Sequence, residues 1–166
     1  MRRNIIMLDY NFYKKYFYKS IASKVVPILN KLGPYDRALH LECGDAVLSE
    51  FIQANEIHGV DDLSIESNAP IVQRLGEPDK VYDLIILSEK DYSTYSIEQI
   101  HSWIRKSSAR LIAIVGTEEY IKYTNVEKFG RRILHKDFDD VWLDVYVFDE
   151  INKIYGDVDL SMEKIS

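Results

Sequence analysis

Residues Leu39 to Asp61 read LHLECGDAVLSEFIQANEIHGVD, and this stretch decides the fold. Arg37–Leu41 reads as a short buried strand, and Gly44 marks a tight turn behind it. Leu48–Ala54 follows as a short helix, and Ile57–Val60 as a second strand that ends in the acid Asp61. Strand, turn, helix and strand in that order are the repeating unit of a parallel sheet.

Downstream the alternation continues. Asp62-Leu63-Ser64 opens a short helical turn, and Ile71–Leu75 reads as a third strand between Pro70 and Gly76-Glu77-Pro78. Val81–Leu87, VYDLIIL, is apolar and β-branched, as a central strand covered on both faces must be. Ser96–Lys106 reads as a helix with Ile97, Ile100 and Ile104 inward, and Leu111–Val115 as a fifth strand closed by Gly116. Thr117–Tyr123 is expected to be a short helix. Arg131–His135 and Val141–Phe148 then form an antiparallel pair through the link KDFDD. The expected class is α/β: a doubly wound, mostly parallel sheet with a C-terminal antiparallel strand hairpin.

Upstream, Asp9 is a candidate N-cap for a helix whose apolar face carries Phe12, Tyr16, Phe17, Ile21, Val25, Ile28, Leu29 and Leu32. Pro27 is expected to kink or split it, and Gly33-Pro34 to stop it. Residues 1–33 hold seven Lys or Arg against Asp9 alone, a net +6; the whole chain is −6, so the remainder carries −12. The acidic body does not attract nucleic acid, whereas the basic lobe can. Either this segment covers the sheet and its lysines are solvated, or its Tyr/Lys mixture touches phosphates and bases.

The 166 residues are expected to form one domain: an N-terminal helical segment over 1–33, a core over 34–149, and a polar acidic tail over 150–166. A lone Cys43 permits no intrachain disulfide. No apolar run approaches the roughly 20 residues needed to span a bilayer. The start, MRRNIIMLDY, has an apolar run broken by Asp9, unlike a signal peptide. A cytoplasmic protein without membrane contact is expected.

Ligands on doubly wound sheets sit outside the carboxyl ends of the strands, where strand order switches. Here those ends are near Leu41, Asp61 and Ser88. His40, His58, His101 and His135 have no metal-ligand spacing with one another or with Cys43, so no metal is expected. His40 and His58 lie on strands and read as satisfied core residues. Asp83, inside the fourth strand, reads as a structural hydrogen-bonding residue. No phosphate-binding P-loop and no Gly-x-Gly-x-x-Gly fingerprint is present.

These residues carry a resemblance. From about Pro34 to Phe148 the chain resembles the class I S-adenosylmethionine-dependent methyltransferases, Rossmann-like proteins with seven strands and an antiparallel last strand. ALHLECGDAVLSEF stands where that family has its glycine-rich segment, HGVDDLS at its second-strand end, and VYDLIILSE at its fourth strand. GRRILHKD and VWLDVYVFDE match its terminal hairpin. The glycine motif, acid-x-Gly-x-Gly-x-Gly, is degenerate: His40, Glu42, Gly44 and Ala46 occupy its four positions. A two-residue shift would instead put Glu42 at the acid and Gly44 at the first glycine.

The resemblance implies S-adenosylmethionine as cofactor, held by Glu42, Cys43, Gly44, Asp61, Asp62, Glu77, Leu87 and Ser88. Asp61 would accept hydrogen bonds from the two ribose hydroxyls, Glu77 would contact the adenine, and Leu87 and Ser88 would flank the transferred methyl. From the residues alone, Gly44 is equally a turn glycine and Glu77 equally a solvated charge, while Asp61, the more specific signal, has as its alternative an N-cap for the turn starting at Asp62. No catalytic residue is assigned. Glu89, Lys90, Asp91 and Tyr92 lie where a base or substrate contact would sit, and the Asn/Asp-Pro-Pro-aromatic run of amino-methylating enzymes is absent there. Two functions remain open: a methyltransferase of unknown acceptor, or a non-catalytic module of the same fold that binds a protein or nucleic-acid partner, with the basic N-terminal segment as the candidate surface.

Overall fold

The computed structural model describes residues 19–44, 46–88, 95–116, 130–139 and 141–148. Its centre is a seven-stranded sheet, ordered β3-β2-β1-β4-β5-β7-β6. The strands are β1 (Tyr35–Leu41), β2 (Ala54–Val60), β3 (Gln73–Leu75), β4 (Leu84–Ser88), β5 (Leu111–Gly116), β6 (Gly130–Asp137) and β7 (Trp142–Phe148). Neighbours from β3 to β5 pair in parallel. β7 runs antiparallel to both β5 and β6, as the expected hairpin requires.

Two helices are described, one on each face. Helix α1 (19–32) lays Ile21, Val25 and Leu29 on Ala38, Leu84, Ile86, Ala113 and Val145. Helix α2 (Ile97–Ser107) lays Ile100, Trp103 and Ile104 on Leu39, Leu41, Ile85, Leu87 and Ile112. Successive β4 residues alternate between these clusters, so the strand is buried on both sides.

Pro27 does not split α1. It and Ser23, whose carbonyl loses the bond, both lie on the exposed face, where the carbonyl stays open to solvent. Ser96 caps α2 by accepting the Gln99 N–H at 3.1 Å, and left-handed Ser108 ends it. Ile97 is 40% exposed rather than inward, because it sits on the first turn before the helix meets the sheet.

Three local expectations are corrected. Leu48–Ala54 is not a helix; only a 3-10 turn forms, over Val47–Ser49. Asn30 of α1 holds the Phe51 carbonyl and the Gln53 N–H, drawing the chain straight into β2, which begins at Ala54 opposite Tyr35. Residues 62–65 close one i→i+3 turn that does not continue into a helix: Ile65 N donates to Asp62 O at 3.1 Å and the Asp62 carboxylate accepts the Ser64 N–H at 2.9 Å. β4 begins at Leu84, not Val81. The Asp83 carboxylate accepts from the N–H groups of Asp36 and Arg37 at 2.5 and 3.2 Å, the structural role its sequence position suggested. Asp9, Phe12–Phe17, Thr117–Tyr123 and the 150–166 tail lie outside the described residues.

Candidate functional site

The strand order switches between β1 and β4, and the carboxyl ends of β1, β2 and β4 lie side by side there. The chain leaves β1 through a loop with three left-handed residues: Glu42 (φ 55°), Gly44 (φ 58°) and Ala46 (φ 69°). Only glycine takes that conformation without a steric cost of about 1–2 kcal/mol. The three positions are those that the first register aligns with the family's glycines. Backbone bonds hold the loop: Cys43 N donates to Val60 O at 3.2 Å and Ala46 N to Cys43 O at 2.9 Å.

Asp61 is fully buried at the end of β2. Its Oδ2 accepts the Gly44 N–H at 2.8 Å and its Oδ1 accepts the Asp62 N–H at 2.7 Å. The carboxylate thus ties the β1 loop to the β2 end. The cap of the following turn is Asp62, whose carboxyl the Ser64 N–H and hydroxyl hold below the usual carboxylate range.

Glu42 is also fully buried, and its Oε1 accepts the Tyr95 N–H at 3.4 Å. The Tyr95 ring meets Trp103 edge-on, with centroids 4.7 Å apart. Burial raises the Tyr95 hydroxyl above the ordinary tyrosine range, and the negative charges of Asp61, Asp62, Glu42 and Cys43 push it further. The bond from its N–H to Glu42, directly after β1, brings Tyr95 to the carboxyl end of that strand. Sequence reasoning missed it. Its signal was an aromatic directly before the α2 cap.

Below the carboxyl end of β1 lies a buried relay. His40 Nδ1 is 3.1 Å from Ser49 Oγ, and His40 Nε2 is 2.5 Å from Ser88 Oγ. Ser49 also donates to Ala46 O at 3.3 Å, so Nδ1 carries the ring proton and Nε2 accepts from Ser88. His40 is the satisfied core residue expected, and it fastens the loop to β4. Cys43 is buried against Gly59, Leu87 is packed in the α2-facing core, and Glu77 is exposed in the bend after β3. The structure therefore brings Glu42, Cys43, Gly44, Asp61, Asp62 and Ser88 to one end of the sheet, and Glu77, two residues past Leu75, which pairs with Val60, follows β3 at that same end. Glu89, Lys90, Asp91 and Tyr92 lie outside the described residues. Among the described residues no group of His, Cys, Asp or Glu could hold a metal ion, and no helix is long and apolar enough to cross a membrane.

No protein-family model and no curated protein matches the chain. Solved structures do. The N-methyltransferase NodS from Bradyrhizobium japonicum WM9, in complex with S-adenosyl-L-homocysteine, aligns with TM-score 0.61 and 11% identity over 78% of this chain and 86% of its own. The methyltransferase domain of bacterial-CtHen1-C aligns with TM-score 0.55 and 12% identity over 78% and 97%. A putative methyltransferase from Pseudomonas syringae gives TM-score 0.56 and 11% over 81% and 99%. The fold is methyltransferase-like. At such identities the likeness reaches the fold and stops there.

Proposed function

We propose that this chain is a non-catalytic, methyltransferase-like module that acts by binding a partner. The observation that carries the reading is Glu42. A fully buried carboxylate side chain stands at the loop position where a glycine backbone would approach the cofactor's methionine part. Both oxygens of Asp61, the expected ribose acceptor, already receive backbone N–H groups. In this reading the buried Glu42 carboxylate takes the place that the cofactor's methionine part would need. The reading takes residues 1–166 as one domain with a 34–149 core, in the cytoplasm.

Calorimetric titration with S-adenosyl-L-homocysteine tests it. No saturable heat is expected; a Kd in the micromolar range would overturn the reading.

One observation favours the other reading, an S-adenosylmethionine-dependent methyltransferase of unknown acceptor. The loop keeps left-handed residues at Glu42, Gly44 and Ala46 although two of them carry side chains, and such strain often marks functional sites. In that reading Glu42, Cys43, Gly44, Asp61, Asp62, Glu77, Leu87 and Ser88 would hold the cofactor, and micromolar binding would support it.

A further inference from the structure

The sheet leaves part of β2 without an outer neighbour. β3 pairs only with His58, Gly59 and Val60, so among the described residues no strand lies outside residues 54–57. A cleft of about 180 Å³ runs along this open lane, lined by Asn55, Glu56, Ile57, Ile71 and Gln73 among others. A strand edge with free N–H and C=O groups is a template for another extended chain.

The two sides of the lane differ in chemistry. On one side is a directed hydrogen-bond chain. Tyr82, fully buried, lies 2.8 Å from His58 Nδ1, and His58 Nε2 lies 3.2 Å from Glu56 Oε2. With Glu56 an acceptor only, Nε2 carries the ring proton and Nδ1 accepts from the Tyr82 hydroxyl. The chain aims the half-exposed Glu56 carboxylate along the lane. Asp79 stands 3.7 Å from His58 with its side chain 54% exposed, and Arg37 is the base that meets Glu56, at 3.4 Å. Charge on this side is negative. On the other side, Ile71 is 68% exposed beside the cleft, above Ile57 of the core.

We propose that residues 54–57 dock an extended segment of another protein whose side chains alternate basic and apolar. Alternate side chains of an added strand point to opposite faces, so the basic ones reach Glu56 and Asp79 while the apolar ones cover Ile71. The free edge supplies backbone pairing and the carboxylates supply selection. This inference rests on the partner-binding reading, and its test does not involve the cofactor. Binding of S-adenosyl-L-homocysteine would remove that reading and leave the peptide result to stand or fall alone.

The probe is a fluorescein-labelled peptide of alternating lysine and valine, titrated with the full chain and followed by anisotropy. Saturable binding is expected, weakened about fivefold in Glu56→Gln as an exposed ion pair is lost. A glutamate–valine peptide should not bind. Amide hydrogen exchange on the complex should slow within 54–57, an observation that holds even where Glu56→Gln perturbs His58. No binding, equal binding of the acidic peptide, or protection confined to β6 would overturn the proposal. So would self-association without peptide that Glu56→Gln abolishes, which would make the occupant a second copy.

Discussion

Gly44 donates its backbone N–H to Asp61 Oδ2 at 2.8 Å, fastening the loop that leaves β1 to the end of β2 through a fully buried carboxylate. The residue that resemblance casts as a ligand to ribose is engaged as a structural tie.

Asp61→Ala should therefore destabilise the fold itself, because the N–H groups of Gly44 and Asp62 lose their acceptor. The expected loss is about 2–3 kcal/mol, read as a lower urea midpoint. An unchanged midpoint would mean that the tie contributes nothing.

Glu42→Gly should have the opposite sign. It removes a buried carboxylate and relieves a left-handed residue, against the loss of a 3.4 Å bond to Tyr95. A gain of about 1 kcal/mol is expected. With the side chain gone, S-adenosyl-L-homocysteine should raise the melting temperature of the variant while leaving the parent unmoved. A variant as indifferent to the ligand as the parent would show that Glu42 is not what blocks the crevice.

Gly59 and Cys43 are expected to be coupled. A Cβ on Gly59 would stand 2.7 Å from Cys43 Sγ and 3.1 Å from Val72 Cγ1. Gly59→Ala should cost about 1–3 kcal/mol by overpacking, and adding Cys43→Ala should recover part of it. Strict additivity in the double-mutant cycle would show that the strain is relieved elsewhere.

Tyr35 sets an alkaline limit. Burial pushes its hydroxyl up to about 12, and the protonated group donates to Leu29 O at 2.5 Å, joining β1 to α1. Since the folded value lies above the unfolded one near 10, its contribution is fully present below pH 10 and is lost as pH rises toward 12. Tyr35→Phe should flatten the fall in stability across that window, measured by urea unfolding at stepped pH. Parallel curves for the two proteins would assign the alkaline loss to other tyrosines.

Much of the sheet was legible because its signals are local. Leu84–Leu87 and Leu111–Val115 are apolar runs that a strand covered on both faces explains, and KDFDD marks a reversal. The strand ends that flank the switch in strand order were legible, but the burial of the side chains there was not. Leu48–Ala54 has a helical pattern that loses to Asn30, a residue of another element that takes its backbone groups. Glu42 and Tyr95 are 53 residues apart, and no window spans them.

By itself the sequence determined most of the strands, the acid ending β2 and the turn at Gly44, because periodicity and backbone sterics act over a few residues. The tertiary structure alone decided the strand order, the burial of Glu42 and Asp61, and the open lane beside β2. Those depend on which distant segments meet, and a buried charge or an unpaired edge exists only once the neighbours are in place.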